Sequence, residues 1–333
     1  VIFISGQIKR KETSRNSKTN LRQFGVQEAD IISIVEPITK YAVMVNEPEK
    51  ILYHLEKAVH LALSGRPGPV WIDIPLDVQG FSPDEKDLIH FIPEEKSING
   101  ICGMDKFFEM YQQAKRPIIL AGNGVRLSGA VEDLREFSKS NNIPCVVSYL
   151  AVDYFEQDNL NYVGRLGIKG DRAGNFAIQN SDLIICLGSR LSVALTGFEY
   201  ELFGRESKLV VIDIDKDEHE KNTVKIDHFI KADVKEFLKI IADKVQKKEQ
   251  CEWQEKCIHW KNKWPVSQDN YDTDTVNMYE FTKALSELAN DNAIVVSDAG
   301  SSYYVTSQSL TFKSIKQRYI TSGAQADMGF TLP

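Results

Sequence analysis

The sequence predicts an α/β protein in which parallel sheets are flanked by helices. Apolar runs of four to six residues, rich in Val and Ile, recur along the chain, as expected of strands that are covered on both faces. Segments with helical periodicity lie between these runs, and this alternation is typical of parallel α/β architecture. The predicted strands are 1–5, 70–74, 117–121, 144–148, 183–187, 209–213 and 293–297.

Three segments have the apolar spacing of amphipathic helices. In the first, apolar residues recur at i, i+4, i+7, i+8 and i+11, and Gly65 ends the pattern. The third opens with Asn277 and Glu280, which are spaced as a capping box. The predicted helices span 51–62, 234–245 and 277–288.

Length and charge restrict the class of protein. The 333 residues are enough for two domains and part of a third, with a sizeable core. The chain has 40 basic and 47 acidic residues, so its net charge of −7 gives no global basic field, and we expect neither nucleic acid nor a membrane as a partner. No apolar run approaches the roughly 18 residues that a membrane-spanning helix needs.

The five cysteines are odd in number and unclustered, a pattern typical of reduced core thiols in the cytoplasm. Cys251, Cys257 and His259 lie close in sequence, but a zinc site would need a fourth ligand. We therefore expect a polar helix surface there and no metal site. The cysteines are Cys102, Cys145, Cys186, Cys251 and Cys257.

Two charged stretches divide the chain. Residues 79–103 are predicted to be an exposed linker, and residues 246–274 a second connector. Trp253, Trp260 and Trp264 in the second stretch have the spacing of one helical stripe, so we expect them to pack rather than to stack on nucleobases. The predicted domains are 1–80, 103–245 and 275–333.

Both ends of the chain have the composition of packed structure. Residues 1–5 are an apolar run without a polar lead-in, and residues 328–333 stop at a glycine-containing turn. We therefore expect natural sequence to precede and to follow this chain. The alternative is a processed chain whose termini are apolar.

A glycine turn follows the predicted strand 117–121. Gly122 and Gly124 stand before a helix that is expected to begin near Ser128, where backbone N–H groups can approach a phosphate. The pattern is shorter than the full dinucleotide fingerprint, and an ordinary tight turn would use the same residues.

Other polar patches also follow predicted strands. Residues 188–190 read Gly-Ser-Arg, and residues 164–170 form a glycine loop with two cations. Asp213 and Asp215 end another strand, where an acid binds a ribose hydroxyl or caps the next turn. Residues 297–302 read Ser-Asp-Ala-Gly-Ser-Ser, which supplies donors to a phosphate or forms a simple Asx-turn. Together these patches favour a nucleotide-like ligand.

These segments resemble the thiamine-diphosphate-dependent enzymes of the acetolactate synthase type, over nearly the whole chain. The most specific motif is the Ser-Gly-Arg-Pro-Gly-Pro-Val run at 64–70, followed by Asp73 and Pro75. The other motifs, in chain order, are Ser5-Gly6-Gln7, Gln27-Glu28-Ala29-Asp30, Pro37-Ile38-Thr39-Lys40, Ser297-Asp298-Ala299-Gly300 and Met328-Gly329-Phe330.

The resemblance implies three α/β domains. Residues 1–80 would be the C-terminal half of a pyrimidine-binding domain, 103–245 a complete middle domain that often holds FAD, and 275–333 the start of a diphosphate-binding domain. The catalytic glutamate and the magnesium-binding motif would then lie outside the chain, the latter beyond Pro333. We therefore assign no catalytic residue and no metal ligand here, and we expect this chain alone to lack carboligase activity.

The resemblance also implies binding residues. Lys40 would lie near the cofactor channel, although a surface lysine is the alternative, and Val26 would lie near the substrate. Glu28 and Asp30 would position neighbouring groups or form salt bridges. Residues implied to bind thiamine diphosphate are Gln27, Gly300, Ser301, Ser302, Ala326 and Met328. Residues implied to bind FAD are Gly122, Gly124, Arg190, Asp213 and Asp215.

Three positions depart from the acetolactate synthase pattern. Those enzymes commonly have Gly-Gln-His where this chain has Gly300-Ser301-Ser302, and a phenylalanine where it has Val26. Ala326 stands where a glycine usually offers its carbonyl to the aminopyrimidine ring. The first two departures indicate a different acceptor substrate.

The resemblance implies an enzyme of amino-acid biosynthesis that uses thiamine diphosphate and Mg²⁺ and forms a homodimer or homotetramer. FAD is implied as a further cofactor, with its loss in some relatives that keep the fold as the alternative. It would decarboxylate pyruvate or another 2-oxo acid and transfer the two-carbon unit to a carbonyl acceptor. A keto-sugar or other aldehyde or ketone is the alternative acceptor. A catalytically silent nucleotide-binding scaffold is the alternative of a different class.

Overall fold

The computed structural model describes residues 1–94, 101–245, 251–267, 275–323, 325, 327–329 and 331, and it confirms the predicted α/β fold. The chain separates into two units, Val1–Asn99 and Gly100–Pro333. In the described part of the chain, none of the helices combines the length and the apolar character that crossing a membrane requires.

The first unit is built on a parallel sheet with the strand order β1-β3-β2. Val70 and Ile72 of the middle strand are fully buried and pack with Ala58 and Ala62. Ser5 pairs in register with Asp73, which places polar side chains toward the carboxyl end of the sheet. The elements are β1 (Ile2–Gln7), α1 (Ile31–Val35), β2 (Tyr41–Met44), α2 (Ile51–Leu63), β3 (Val70–Pro75) and α3 (Leu76–Gln79).

Helix α2 confirms the clearest helix prediction. A 3₁₀ turn that begins at Pro48 leads into it, and Gly65 follows it with a left-handed φ of 57°. Ala58 and Ala62 are buried as expected, but Val59 is 46% exposed. The apolar face of the helix is therefore narrower than the sequence pattern indicates.

The second unit contains a larger parallel sheet with the order β6-β5-β4-β7-β8-β9. The chain runs outward from β4 to β6 and then returns to β7 on the other side of β4. This is the doubly wound order, in which ligands bind at the carboxyl ends of the two strands where the direction reverses. The strands are β4 (Pro117–Ala121), β5 (Cys145–Val147), β6 (Tyr162–Arg165), β7 (Leu183–Leu187), β8 (Lys208–Asp213) and β9 (His228–Lys231).

The helices around this sheet correct two expectations. A four-residue helix begins at Gly124, and the helix expected near Ser128 begins three residues later, at Val131. The predicted glycine loop 164–170 starts inside strand β6. The helices are α4 (Met104–Gln113), α5 (Gly124–Leu127), α6 (Val131–Asn141), α7 (Arg172–Asn180), α8 (Val193–Thr196) and α9 (Val234–Ala242).

Helix α10 (Cys251–Lys263) lies within the predicted connector 246–274. Trp253 is buried and donates its indole N–H to the carbonyl of Pro117 at 3.0 Å. The rings of Trp260 and Trp264 lie against Phe176, so the predicted packing of the tryptophans is confirmed. Cys257 is fully buried, so the expected polar helix surface is wrong at that position. No group of His, Cys, Asp or Glu in the described residues could hold a metal ion, and the side chain of Cys251 lies outside them.

The last segment of the second unit forms a parallel strand pair with two helices. Asn277 caps the first helix by accepting from the N–H groups of Tyr279 and Glu280, as predicted. The Glu280 carboxylate does not complete the capping box, because it accepts from Ser267 Oγ instead. The elements are α11 (Met278–Leu288), β10 (Ile294–Ser297), α12 (Ser301–Ser309) and β11 (Arg318–Thr321).

Candidate functional site

Two glycine turns touch where strands β4 and β7 end. A Cβ atom added to Gly122 would lie 2.3 Å from the Gly188 carbonyl oxygen, and one added to Gly124 would lie 2.6 Å from Gly188 Cα. Gly188 itself has a φ of 54°, which favours glycine. The glycines are therefore required by direct backbone packing at the switch point of the sheet.

The N–H groups that were expected to approach a phosphate are engaged in this packing. Gly122 N donates to Leu187 O at 2.9 Å, and Gly124 N donates to Gly188 O at 2.9 Å. A ligand at this edge of the sheet would therefore be held by other groups around the turns. The nearest candidates are the charged side chains that follow β7 and β8.

Arg190 belongs to a charged cluster beside the second turn. Its Nε lies 3.2 Å from Glu218 Oε1, and the same oxygen accepts from Lys221 Nζ at 2.5 Å. Burial raises the pKa of Glu218, but the hydrogen bonds and charges of Lys221 and Arg190 outweigh it, so the pKa lies below its ordinary value. The Arg190 side chain is 57% exposed, which leaves guanidinium N–H groups open to an anion.

Asp213 and Asp215 order the turn that follows β8. Asp213 Oδ1 accepts from Asp215 N at 3.0 Å, and Asp215 Oδ1 accepts from Glu218 N at 3.3 Å. Both acids therefore cap the turn, which was one of their two expected roles. His219 lies beside them with a 3% exposed side chain, its Nε2 3.4 Å from Asp213 Oδ2.

One of the two cations expected in the glycine loop 164–170 is not open to a ligand. Arg165 is buried and forms an ion pair with Asp171 at 3.0 Å, and it also donates to the Ser307 carbonyl. Burial alone would lower the pKa of Arg165, but Asp171 raises it. The second cation, Lys169, lies over the ring of Tyr304.

A buried carboxylate that sequence reasoning missed joins two parts of the second unit. Asp153, with a 1% exposed side chain, lies 2.6 Å from Arg126 and 2.9 Å from Arg318 of β11, and it also accepts from Tyr319 N at 3.1 Å. In the sequence, Asp153 could have been found as an acid between apolar neighbours in the segment 150–155. Its contacts fix the turn after β4 relative to β11.

The expected diphosphate-binding residues lie at the start of α12. Gly300 has a φ of 66° and precedes Ser301, the first residue of the helix. Ser302 Oγ donates to Ala299 O at 2.7 Å. Asp298 Oδ2 accepts from Gly329 N at 2.7 Å, which brings the segment that carries Met328 to this turn.

Met328 and Ala326 are the two remaining candidates for thiamine diphosphate binding in this segment. Met328 is 91% exposed, so in this unit it does not serve as a core methionine. Ala326 lies outside the described residues.

In the first unit, Glu28 closes the long loop between β1 and α1. Its Oε1 accepts from Ser14 N and from Ser14 Oγ at 2.6 Å, and its Oε2 accepts from Phe24 N at 2.6 Å and Gly25 N at 3.3 Å. Burial raises the pKa of Glu28, but these hydrogen bonds favour the charged form and leave the pKa below its ordinary value. Both halves of the loop are therefore tied to one carboxylate.

The two residues before Glu28 form the tip of this loop. Gln27 has a φ of 67°, which is uncommon for a residue other than glycine, and Val26 is 86% exposed. Beyond Glu28, Asp30 forms an ion pair with Arg15 at 3.1 Å. Glu28 and Asp30 thus have the positioning and salt-bridging roles that the sequence indicated.

The carboxyl end of the small sheet supports the same loop. Gln7 Nε2 donates to Ala29 O at 2.7 Å and to Asp73 Oδ2 at 3.1 Å, while Ser5 Oγ donates to Asp73 Oδ1 at 2.6 Å. Asp73 is buried, and burial raises its pKa above the ordinary value although Ser5 and Gln7 lower it. The Ser-Gly-Gln and Asp-Ile-Pro motifs therefore meet in one network.

Lys40 lies at the end of α2. Its Nζ donates to Leu61 O at 2.5 Å and to Ser64 O at 2.7 Å, two carbonyls at the helix C-terminus. Burial lowers the pKa of Lys40. Capping of α2 is therefore the role that the contacts of Lys40 show.

The geometry defines a doubly wound α/β domain with glycine turns at its switch point, and comparison with known proteins indicates its family. Residues 104–241 match the family model described as "Thiamine pyrophosphate enzyme, central domain". These residues contain the whole of the six-stranded sheet.

Over most or all of its length, the chain is similar to acetolactate synthase large subunits. It is 30% identical to the probable acetolactate synthase large subunit of Methanocaldococcus jannaschii, over 100% of this chain and 57% of that protein. It is also 30% identical to acetolactate synthase isozyme 1 large subunit of Escherichia coli, over 92% of this chain and 54% of that protein. The large subunit from Corynebacterium glutamicum gives 30% identity over 92% of this chain and 50% of that protein. The chain thus spans about half the length of the curated relatives it matches.

We predict that Gly122→Ala destabilises the second unit by about 3 kcal/mol, because the new methyl group meets backbone that cannot move aside. Gly80→Ala is the control, since its Cβ would lie 3.7 Å from the nearest atom and the change should stay within about 0.5 kcal/mol. Urea unfolding followed by tryptophan fluorescence measures both, because Trp71 and Trp253 report on the two units. If the second unit of Gly122→Ala unfolds at the same urea concentration as that of the wild type, the packing role is contradicted.

We predict that Glu28→Gln speeds amide hydrogen exchange at residues 14–25 by about tenfold near neutral pH, because an amide cannot accept all four hydrogen bonds. Glu12→Gln, an exposed change on the same loop, should leave exchange unaltered.

The acid dependence of the same exchange follows from the lowered pKa of Glu28. A carboxylate of this kind stabilises the loop above its ordinary pKa of 4.5, and the stabilisation is lost as the pH falls through the lowered value. After correction for intrinsic exchange, protection at 14–25 should therefore decrease on acidification below 4.5 in the wild type and not in Glu28→Gln. Matching acid profiles would refute the assignment.

Proposed function

We propose that this chain is part of a thiamine-diphosphate-dependent carboligase that decarboxylates pyruvate or a related 2-oxo acid and transfers the two-carbon unit to a carbonyl acceptor. The observation that carries the proposal is the similarity to acetolactate synthase large subunits along the whole chain. The order of motifs in the sequence and the doubly wound central domain support it.

The start of α12 suits a diphosphate. The helix has nine residues, and its first-turn N–H groups follow Gly300. Apart from its chain neighbours, no atom of the described residues lies within 4 Å of where a Cβ of Gly300 would stand. Ser301 is exposed there, while the Ser302 hydroxyl is engaged by Ala299. Thiamine diphosphate, when bound, supplies stabilisation of a carbanion after decarboxylation. In the proposal, the chain's own residues hold its diphosphate and orient it.

The identity of the acceptor depends on the residues that depart from the acetolactate synthase pattern. Val26 is small, apolar and 86% exposed at the tip of the loop that Glu28 closes. Ser301 and Ser302 add short hydroxyl side chains near the proposed cofactor. The second candidate reaction is therefore transfer of the two-carbon unit to an aldehyde, a ketone or a keto-sugar. These features favour such an acceptor over a second pyruvate.

We further propose that the central domain binds FAD at the switch point of its sheet. Arg190 is exposed and pairs with Glu218, whose N–H donates to Asp215 Oδ1, so cationic and acidic groups follow the ends of β7 and β8. Binding by side chains suits this edge, because Gly122 N and Gly124 N already donate to Leu187 and Gly188. A catalytically silent nucleotide-binding scaffold is the alternative to the carboligase. Thiamine-dependent CO₂ release from pyruvate separates these two functions.

We also propose that the protein is a cytoplasmic homodimer or homotetramer. Strand β1 has one unpaired edge among the described residues, and its Phe3 and Ile4 are 44% and 60% exposed, a surface that suits burial against other chain. Cys145, Cys186 and Cys257 are buried free thiols, which suits a reducing compartment.

For the activity, we predict that the protein expressed from its intact gene releases ¹³CO₂ from [1-¹³C]pyruvate in the presence of thiamine diphosphate and Mg²⁺. Ser301→Asp should raise the half-saturating thiamine diphosphate concentration by about tenfold, because it adds negative charge at the helix N-terminus that faces the diphosphate. Ser82→Asp, an exposed serine in the irregular segment after α3, is the matched control. Absence of thiamine-dependent CO₂ release would favour the scaffold alternative.

For the flavin, we predict that the purified protein binds FAD and that Arg190→Ala weakens binding by about tenfold, since one charge-assisted contact to a phosphate is lost. Arg205→Ala, an exposed arginine after α8, should bind FAD like the wild type. Flavin fluorescence titration measures the affinity. A colourless protein whose thermal stability ignores added FAD would exclude the site.

A further inference from the structure

The acidic chain contains one strongly basic segment in its first unit. Residues 9–22, here called the basic loop, hold six Lys and Arg residues and a single acid, Glu12. The net charge of −7 therefore divides into +5 in these 14 residues and −12 in the rest of the chain. Such a local concentration of cations is an electrostatic feature that the overall charge conceals.

Two of the six cations fix the loop to the body of the unit. Arg10 Nε lies 2.8 Å from Asp77 Oδ2, and Arg15 lies 3.1 Å from Asp30. The other four are exposed, and no ion pair involves them within the described residues. These four are Lys9, Lys11, Lys18 and Arg22.

The basic loop is ordered by its own hydrogen bonds. Thr13 is buried and its Oγ1 donates to Arg10 O at 2.8 Å, while Arg10 N donates to Asp77 Oδ1 at 3.0 Å. Glu28 ties Ser14 in the first half of the loop to Phe24 just after it. Lys9 and Lys11 therefore lie beside anchored residues, and Lys18 and Arg22 lie between the two segments that Glu28 joins.

The position of the basic loop relates it to the substrate. It ends at Arg22, four residues before Val26, which departs from the acetolactate synthase pattern. The Glu28 carboxylate joins Ser14 of the basic loop to Phe24 and Gly25 beside this tip. Lysine and arginine on a fixed loop recognise phosphate oxygens through charge-assisted hydrogen bonds. Pyruvate carries a single carboxylate, so four uncompensated cations exceed what it requires.

We propose that the basic loop binds a phosphate or diphosphate group on the carbonyl acceptor, which makes the acceptor a phosphorylated or nucleotide-linked carbonyl compound. The identification of the bound molecule as the acceptor rests on the proposed carboligase function, whereas the anion site itself does not depend on that function. The charge of −12 outside the loop opposes an extended nucleic acid or an anionic membrane and favours a small anion.

The test uses the 333-residue chain with inorganic pyrophosphate as the probe, without thiamine diphosphate or pyruvate. Hydrogen exchange measured by mass spectrometry locates the bound anion, which separates the basic loop from the start of α12. Pyrophosphate should slow exchange in residues 9–28. Lys11→Glu combined with Arg22→Glu should raise the half-saturating concentration for that protection by about tenfold or more, because two attractive charges become repulsive.

The matched control is Lys225→Glu combined with Lys239→Glu, which changes the net charge equally at exposed positions of the second unit. It should leave protection of residues 9–28 unchanged. Absence of protection there, equal affinity of the two double variants, or protection by single-stranded DNA or phosphatidylserine vesicles but not by pyrophosphate would overturn the proposal. These outcomes leave pyruvate-dependent CO₂ release untouched, so failure of the anion site and failure of the carboligase function are distinguishable.

Discussion

The second unit depends on a contact in which two backbone turns meet with no side chain between them. Gly122 and Gly124 lie against Gly188. A Cβ atom added to any of these glycines would overlap the backbone of the facing turn. The contact holds the carboxyl ends of β4 and β7 together at the point where the sheet reverses direction. It also consumes two N–H groups, so the polar surface available to a ligand is made by the side chains around the turns.

Much of this fold could be predicted from the sequence, because burial leaves a clear pattern. Strands β4 and β7 are fully buried on both faces, and their apolar runs match their observed bounds. Strands β2, β6, β9 and β11 were missed. Each has four residues, and the last three include charged or polar side chains such as Arg165, Lys231 and Arg318, so they form because neighbouring strands supply their hydrogen bonds.

The candidate sites could be predicted only in part. Strand ends identify positions such as Arg190 and Asp213, because a parallel sheet gathers the residues that follow its strands at one edge. The partners Glu218 and Lys221 carry no periodic signal, since a loop brings them back to that edge. Likewise Arg165 looks available in the sequence, but only the fold shows that Asp171 occupies it.

The way in which Glu28 holds its loop has a consequence for how the protein can evolve. Three of its four hydrogen bonds come from backbone N–H groups, which every residue except proline supplies. Val26 is not among these donors and is 86% exposed, so its identity can change without removing a hydrogen bond to Glu28. A new side chain at the tip alters what the loop meets in solvent while the fold beneath it persists, so divergence toward new substrates at this position would require few compensating substitutions.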